Sequence, residues 1–269
     1  SLLLSTFFVP LIITKFSVYP FVYGKALFMY ALIEAALFCY VLWALFNWNY
    51  AVRELKEKWA QANKKLVVVL VAYLVMMVVS TVFAASPSVS FWGIPERSDG
   101  LMLHLHLFDF ILLTAILFER RDWILYIKGL FGITLFITLV AWMEYLGVEL
   151  SFPFIIKERT APLAFIGNPA YLASFLLSFL YVASLFIDHA LFAKHRHFFI
   201  ASGVFILVAL LFTGIRGVFM GLVVSGALLL IQTIFSSSHK KAKTSAGVVL
   251  VVIVLVSGFF IATRTHPAW

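Results

Sequence analysis

Long apolar runs recur along the whole chain, and no other feature limits the fold as strongly. A helix needs roughly 20 apolar residues to cross the hydrocarbon core of a bilayer. Runs of that kind fall at about 1–14, 26–47, 66–84, 101–118, 123–147, 169–188, 198–214, 218–235 and 247–263. Inside lipid a segment must satisfy its own backbone N–H and C=O groups, so each run reads as a helix. The expected fold is therefore all-α and polytopic, with about nine transmembrane helices in one transmembrane domain over 1–269. Only 12% of the 269 residues are charged and 64% are hydrophobic. A water-soluble domain of this length has too little buried volume to hide that much apolar surface.

The stretch 198–235 is too long for one span and must turn, and TGIRG at 213–217 is the one place in it with turn chemistry. Glycine supplies permissive backbone there, and an arginine seeks water or an anion. With that turn in place the connecting segments alternate in character. Segments 48–65, 119–122, 189–197 and 236–246 hold twelve of the 20 Lys and Arg. The positive-inside rule puts that set in the cytoplasm. RELKEKWAQANKK within 48–65 has helix-like charge spacing and reads as a solvated link. The opposite set, KFSVYPFVYGK, SPSVSFWGIPERSDG, SFPFIIKERTAPLAFIGNP and TGIRG, is rich in aromatics, Gly and Pro, and each carries Arg or Lys. The chain starts inside an apolar stretch and stops at THPAW just after a span. Both ends therefore read as cut, with 264–269 the start of a missing external loop.

The net charge of +8 does not indicate nucleic acid, because the basic residues lie in short clusters between apolar spans. Cys39 is the single cysteine, so no disulfide framework forms within the chain and no Cys-based metal site is expected. No phosphate loop, HExxH or GxSxG is present. No cofactor and no metal is expected.

Three outer arginines draw attention. Arg97, in FWGIPERSDGL, lies just before the run 101–118, where Ser98 or Asp99 suits a helix cap. A plain loop arginine paired with Glu96 or Asp99 is the simpler reading. Arg159 precedes Asn168 and Pro169, a pair that suits a helix start: Asn caps, and Pro fits the first position because its missing N–H would be unpaired there. Such a terminus attracts anions, and the alternative is a capped helix beside a surface KER cluster. Arg216 sits in TGIRG, and Gly217, Gly221 and Ser225 form a small-residue stripe after it. Close helix packing explains the glycines but not the arginine, unless it merely snorkels to the interface.

Within spans lie Glu34, Asp109, Glu144 and Lys128, with His104 and His106 near the outer end of one. His106 and Asp109, three apart, share a helix face. Intramembrane charges face a cavity or a partner by default, and Lys128 is a candidate partner for one of the acids. His104 and His106, two apart, point away from each other, which disfavours a metal site.

Guanidinium groups suit phosphate oxygens bidentately at any relevant pH. Arg97, Arg159 and Arg216 at one interface fit a phosphorylated lipid headgroup whose tail lies in the bilayer. A transporter or flippase of a lipid-linked or anionic solute would use the same arginines, with Glu34, Asp109 and Glu144 along its path. No inverted repeat is visible in its favour. An assembly scaffold without chemistry is the third reading.

YPFVYGKALF at 19–28, FWGIPERSDGL at 91–101, ERTAPLAFIGNPAYLASFL at 158–176 and TGIRGVFMGL at 213–222 occur in this order. In that order they resemble the bacterial O-antigen ligase and O-antigen polymerase superfamily, and the resemblance covers essentially the whole chain. It implies a GT-C-like helical bundle in the bacterial cytoplasmic (inner) membrane, active on the periplasmic side. The implied reaction moves a glycan from undecaprenyl pyrophosphate to a sugar or protein hydroxyl acceptor, without a metal. Arg159 and Arg216, and then Arg97, inherit the pyrophosphate role. Asn168, His106 and Asp109 are candidate accessory residues. The family's general base is a histidine in a large external loop, expected downstream. His266 in THPAW does not match that motif and is not assigned. The resemblance thus implies a donor-binding part that is inactive alone.

Overall fold

The computed structural model describes residues 2–14, 18–148, 163–188 and 194–236. The expected span 247–263, together with Arg159 and His266, lies outside the described residues. Among the described residues there is no strand. A 3-10 segment, Leu2–Leu11, precedes nine helices: α1 Tyr23–Phe46, α2 Trp48–Gln61, α3 Lys64–Val82, α4 Pro87–Trp92, α5 Leu101–Leu117, α6 Arg120–Tyr145, α7 Pro169–Asp188, α8 Arg196–Phe212 and α9 Arg216–Ser236. Every apolar run expected within the described residues coincides with one of these elements.

Among the described residues four helices are long and apolar enough to cross a membrane: α1, α3, α6 and the Pro169–Phe186 part of α7. The other wholly described apolar elements, Leu2–Leu11, α5 and α8, are shorter. Length is the physical reason for the difference. A 3-10 helix rises about 2.0 Å per residue, so Leu2–Leu11 covers about two thirds of the roughly 30 Å a span requires.

Local chemistry sets several boundaries. Asn63 caps α3 by accepting from the N–H groups of Lys65 and Leu66 at 3.1 and 3.3 Å. Glu119 and Asp122 form a reciprocal capping box at the start of α6. The segment 48–65, read from sequence as a link, folds as α2 up to Gln61 and turns into α3 at Asn63. The run 198–235 does turn at TGIRG. Thr213 ends α8 with its hydroxyl on the Leu210 carbonyl at 2.7 Å, and Gly214 takes φ +65°. Gly214 alone supplies the left-handed residue, while Gly217 is already helical.

The described residues form two compact units, one within 2–148 and 163–168, the other within 169–236. In the first unit the core joins Leu3, Ile33 and Ala36 of α1, Leu113 of α5 and Phe118, with Leu37, Tyr40 and Tyr126 packed around them. Ile33, Ala36, Leu37 and Tyr40 recur at the spacing of one helix face. Buried hydroxyls fold back onto their own helix: Thr134 donates to Leu130 O at 2.8 Å and Thr138 to Thr134 O at 2.7 Å. That satisfies a polar group where no water is available. Outward faces stay apolar, as at Val68, Val69, Val75 and Met76 of α3, and lipid tails are as apolar as these side chains.

In the second unit α7 packs on α8 and α9. Leu172, Leu176, Ile206 and Leu210 are its fully buried large side chains. The Tyr181 hydroxyl hydrogen-bonds Ser225 Oγ, linking α7 to α9. A Cβ on Gly221 would sit 3.7 Å from Leu177, whereas one on Gly217 would meet nothing within 4 Å. The small-residue stripe is therefore a packing face at Gly221 and Ser225 but not at Gly217.

Candidate functional site

Three of the aromatic, glycine-rich segments meet at one end of the first unit. The segment 163–167, LAFIG, is held from two helices. Glu144, near the end of α6, accepts with Oε2 from Leu163 N at 2.7 Å and Ala164 N at 2.8 Å. Lys25, near the start of α1, donates from Nζ to Phe165 O at 2.5 Å and Phe21 O at 2.8 Å. Gly167 closes the segment at φ +78°, where a Cβ would sit 2.2 Å from the Phe21 ring. An ammonium has three donors. Two carbonyls occupy two of them here without neutralising the charge.

Gly24 explains the YGK spelling. A Cβ there would meet Thr14 at 2.1 Å, and Thr14 N donates to Pro20 O at 3.0 Å to close the 14–20 loop. Only a glycine lets Thr14 lie against the start of α1 while Lys25 reaches across.

The loop 93–100, GIPERSDG, is pinched at its base. Gly93 takes φ +80°, and a Cβ on it would lie 2.5 Å from Gly100 N. On Gly100 a Cβ would lie 2.2 Å from Gly93 N. Gly100 also occupies the N-cap of α5, with no side-chain cap bond. The expected capping by Ser98 or Asp99 does not occur, because close backbone approach at this position admits only glycine. Tyr19 donates its hydroxyl to Glu96 Oε1 at 3.1 Å, tying the loop to the 18–22 turn. That hydrogen bond, with lesser contributions from desolvation and the carboxylate charge, pushes the Tyr19 hydroxyl above its ordinary pKa.

Arg97 stands exposed on this loop. The ion pairs among the described residues are Arg53–Glu57 and His106–Glu34, so pairing of Arg97 with Glu96 or Asp99 is not seen. In the second unit Arg216 is exposed as the first residue of α9. A cation there opposes the helix macrodipole, so helix stability does not account for it. The same end presents backbone N–H groups that favour an anion. Asn168 directly precedes Pro169, the first residue of α7.

His106 pairs with a carboxylate on another helix. Its Nε2 lies 3.0 Å from Glu34 Oε1, its Nδ1 lies 2.8 Å from Met102 O, and its ring stacks on Tyr30 at 4.0 Å between centroids. A carbonyl only accepts, so Nδ1 carries a hydrogen. The contact with Glu34 then needs one proton between Nε2 and the carboxylate. Asp109 forms no ion pair with His106 among the described residues, and His104 lies against Tyr73 of α3.

Sequence reasoning missed Lys25, the Tyr19–Glu96 bond and the clamping role of Glu144. The glycine directly before Lys25 was the available signal. Among known proteins, no family model, no curated protein and no solved structure matches this chain.

Proposed function

We propose that this chain is the donor-binding part of a membrane glycan transferase. It would grip a polyprenyl pyrophosphate, undecaprenyl pyrophosphate in a bacterial inner membrane, and release its glycan to an acceptor hydroxyl. The observation that carries this reading is the placement of Arg216. It is an exposed cation at a helix start, where it costs helix stability, beside a left-handed glycine turn that ends an apolar helix. Arg97, in the first unit, is likewise an exposed cation without an ion pair among the described residues, on a loop whose base admits no side chain. The resemblance of four motifs to O-antigen ligases and polymerases supports the same chemistry.

Fixed guanidinium groups would meet the charge that grows on pyrophosphate as the glycosidic bond breaks, which is electrostatic stabilisation of the leaving group. The acceptor hydroxyl must lose its proton to a base, a role the proposal leaves to a residue beyond those described. Arg159 would add a third cation. The test is glycan transfer from undecaprenyl-pyrophosphate glycan by the protein in its native membrane. Arg216→Ala should abolish transfer with membrane expression intact. Near-normal transfer by that variant would overturn the assignment.

A further inference from the structure

The opposite end of the first unit carries a groove that the proposed transfer does not use. It has a volume of about 420 Å³ and lies among α2, α3 and α5. Its walls are apolar, with Leu70 and Val71 from α3 and Ile111 and Leu112 from α5, while Lys58 and Trp59 of α2 form its rim. Lys64 reaches back to this rim. Its Nζ donates to the Trp59 carbonyl and stands 4.1 Å from the Trp59 ring centroid.

We propose that this groove binds one acyl chain of an anionic membrane phospholipid, with the lipid phosphate held at Lys58 and Lys64. Three observations converge on that occupant. The groove takes Val67, Leu70 and Val71 from the first turns of α3, a helix long and apolar enough to span, so acyl chains would lie within its reach. Lys58 lines the groove and Lys64 reaches its Trp59 rim, and the segment 53–65 that carries both is basic: Arg53, Lys56, Lys58, Lys64 and Lys65 outnumber Glu54 and Glu57, with Arg53 turned toward Glu57 at 4.0 Å. Basic residues beside a spanning helix attract anionic headgroups. Finally, α2 exposes Trp48, Tyr50 and Trp59, the residue types that anchor at the headgroup layer. A zwitterionic lipid would fill the apolar walls equally well but gain nothing at the lysines. Charge at the rim therefore turns a lipid-facing groove into a selective site.

Trp59 reports on the groove directly. The protein would be placed in bilayers containing acyl-brominated phosphatidylglycerol or acyl-brominated phosphatidylcholine. The fluorescence assigned to Trp59, by difference from Trp59→Phe, would be followed against lipid fraction. The expected result is quenching by both lipids with about tenfold preference for phosphatidylglycerol, lost in Lys58→Gln/Lys64→Gln. Equal quenching of the unmodified protein by the two lipids would overturn the proposal without recourse to a variant. So would absence of quenching by either, which would mean that another chain segment or protein covers the groove. Survival of the preference in the double variant would overturn it too.

Discussion

The ammonium of Lys25 and the carbonyl of Phe165, 140 positions apart in sequence, meet at 2.5 Å. This bond ties the segment LAFIG to the start of α1, as Glu144 ties it to the end of α6. Lys25→Met removes the donor and keeps an apolar stem, so the segment should loosen while α1 persists. A hydrogen bond involving a charged group contributes about 1.5–3 kcal/mol. Amide hydrogen exchange at 163–167 should accelerate, and exchange within α3 should not change. Unaltered exchange at 163–167 would refute the tether.

Glu144 holds the same segment by a different geometry, one oxygen accepting two backbone N–H groups. Glu144→Gln keeps an amide oxygen that can accept both but loses the charge and puts an N–H₂ where the buried Oε1 has no partner, so it should weaken the clamp. Glu144→Ala should leave two N–H groups without their acceptor, at about 1–3 kcal/mol each if water cannot reach them. Thermal melting in detergent should rank native, Gln and Ala in that order.

Gly93 and Gly100 face each other backbone to backbone. Gly100 has φ −74°, so any cost of Gly100→Ala comes from the clash and not from backbone strain. Both Gly93→Ala and Gly100→Ala should destabilise the protein by more than about 1 kcal/mol. Gly132 of α6 is the control, since a Cβ there meets nothing within 4 Å. Gly132→Ala should stabilise by about 0.5–1 kcal/mol. Chemical-denaturant melts of the three variants distinguish these outcomes.

His106 is 5% exposed and meets Glu34 across α1 and α5. Because the contact needs a proton between the two groups, Glu34→Gln should preserve it: the amide N–H₂ can donate to a neutral Nε2. Glu34→Leu should strand the buried imidazole nitrogen, at about 1–3 kcal/mol. Nitrogen NMR of labelled histidine should show a hydrogen-bonded Nε2 in the native protein and the Gln variant, and not in the Leu variant.

The helices were legible in the sequence because lipid forces backbone satisfaction within each apolar run. Even the break inside 198–235 could be read from one arginine flanked by glycines. The tether residues were not legible. Lys25 reads in the sequence only as one of the outer-segment cations, and its partner is a backbone carbonyl, which no residue type announces. His106 illustrates a related limit. Spacing on one helix shows that His106 and Asp109 share a face, but the carboxylate that pairs with His106, Glu34, belongs to another helix. Likewise α2 looked like a link because its charges were visible and the groove it borders was not.

The most direct test of the proposed donor site is equilibrium binding of a short-chain polyprenyl pyrophosphate to the purified protein, compared with the corresponding alcohol. The account predicts that pyrophosphate binds far more tightly than alcohol. It also predicts that Arg216→Ala weakens the pyrophosphate by about tenfold or more, and that the alcohol is unaffected. Equal binding of pyrophosphate by the native protein and Arg216→Ala would contradict it.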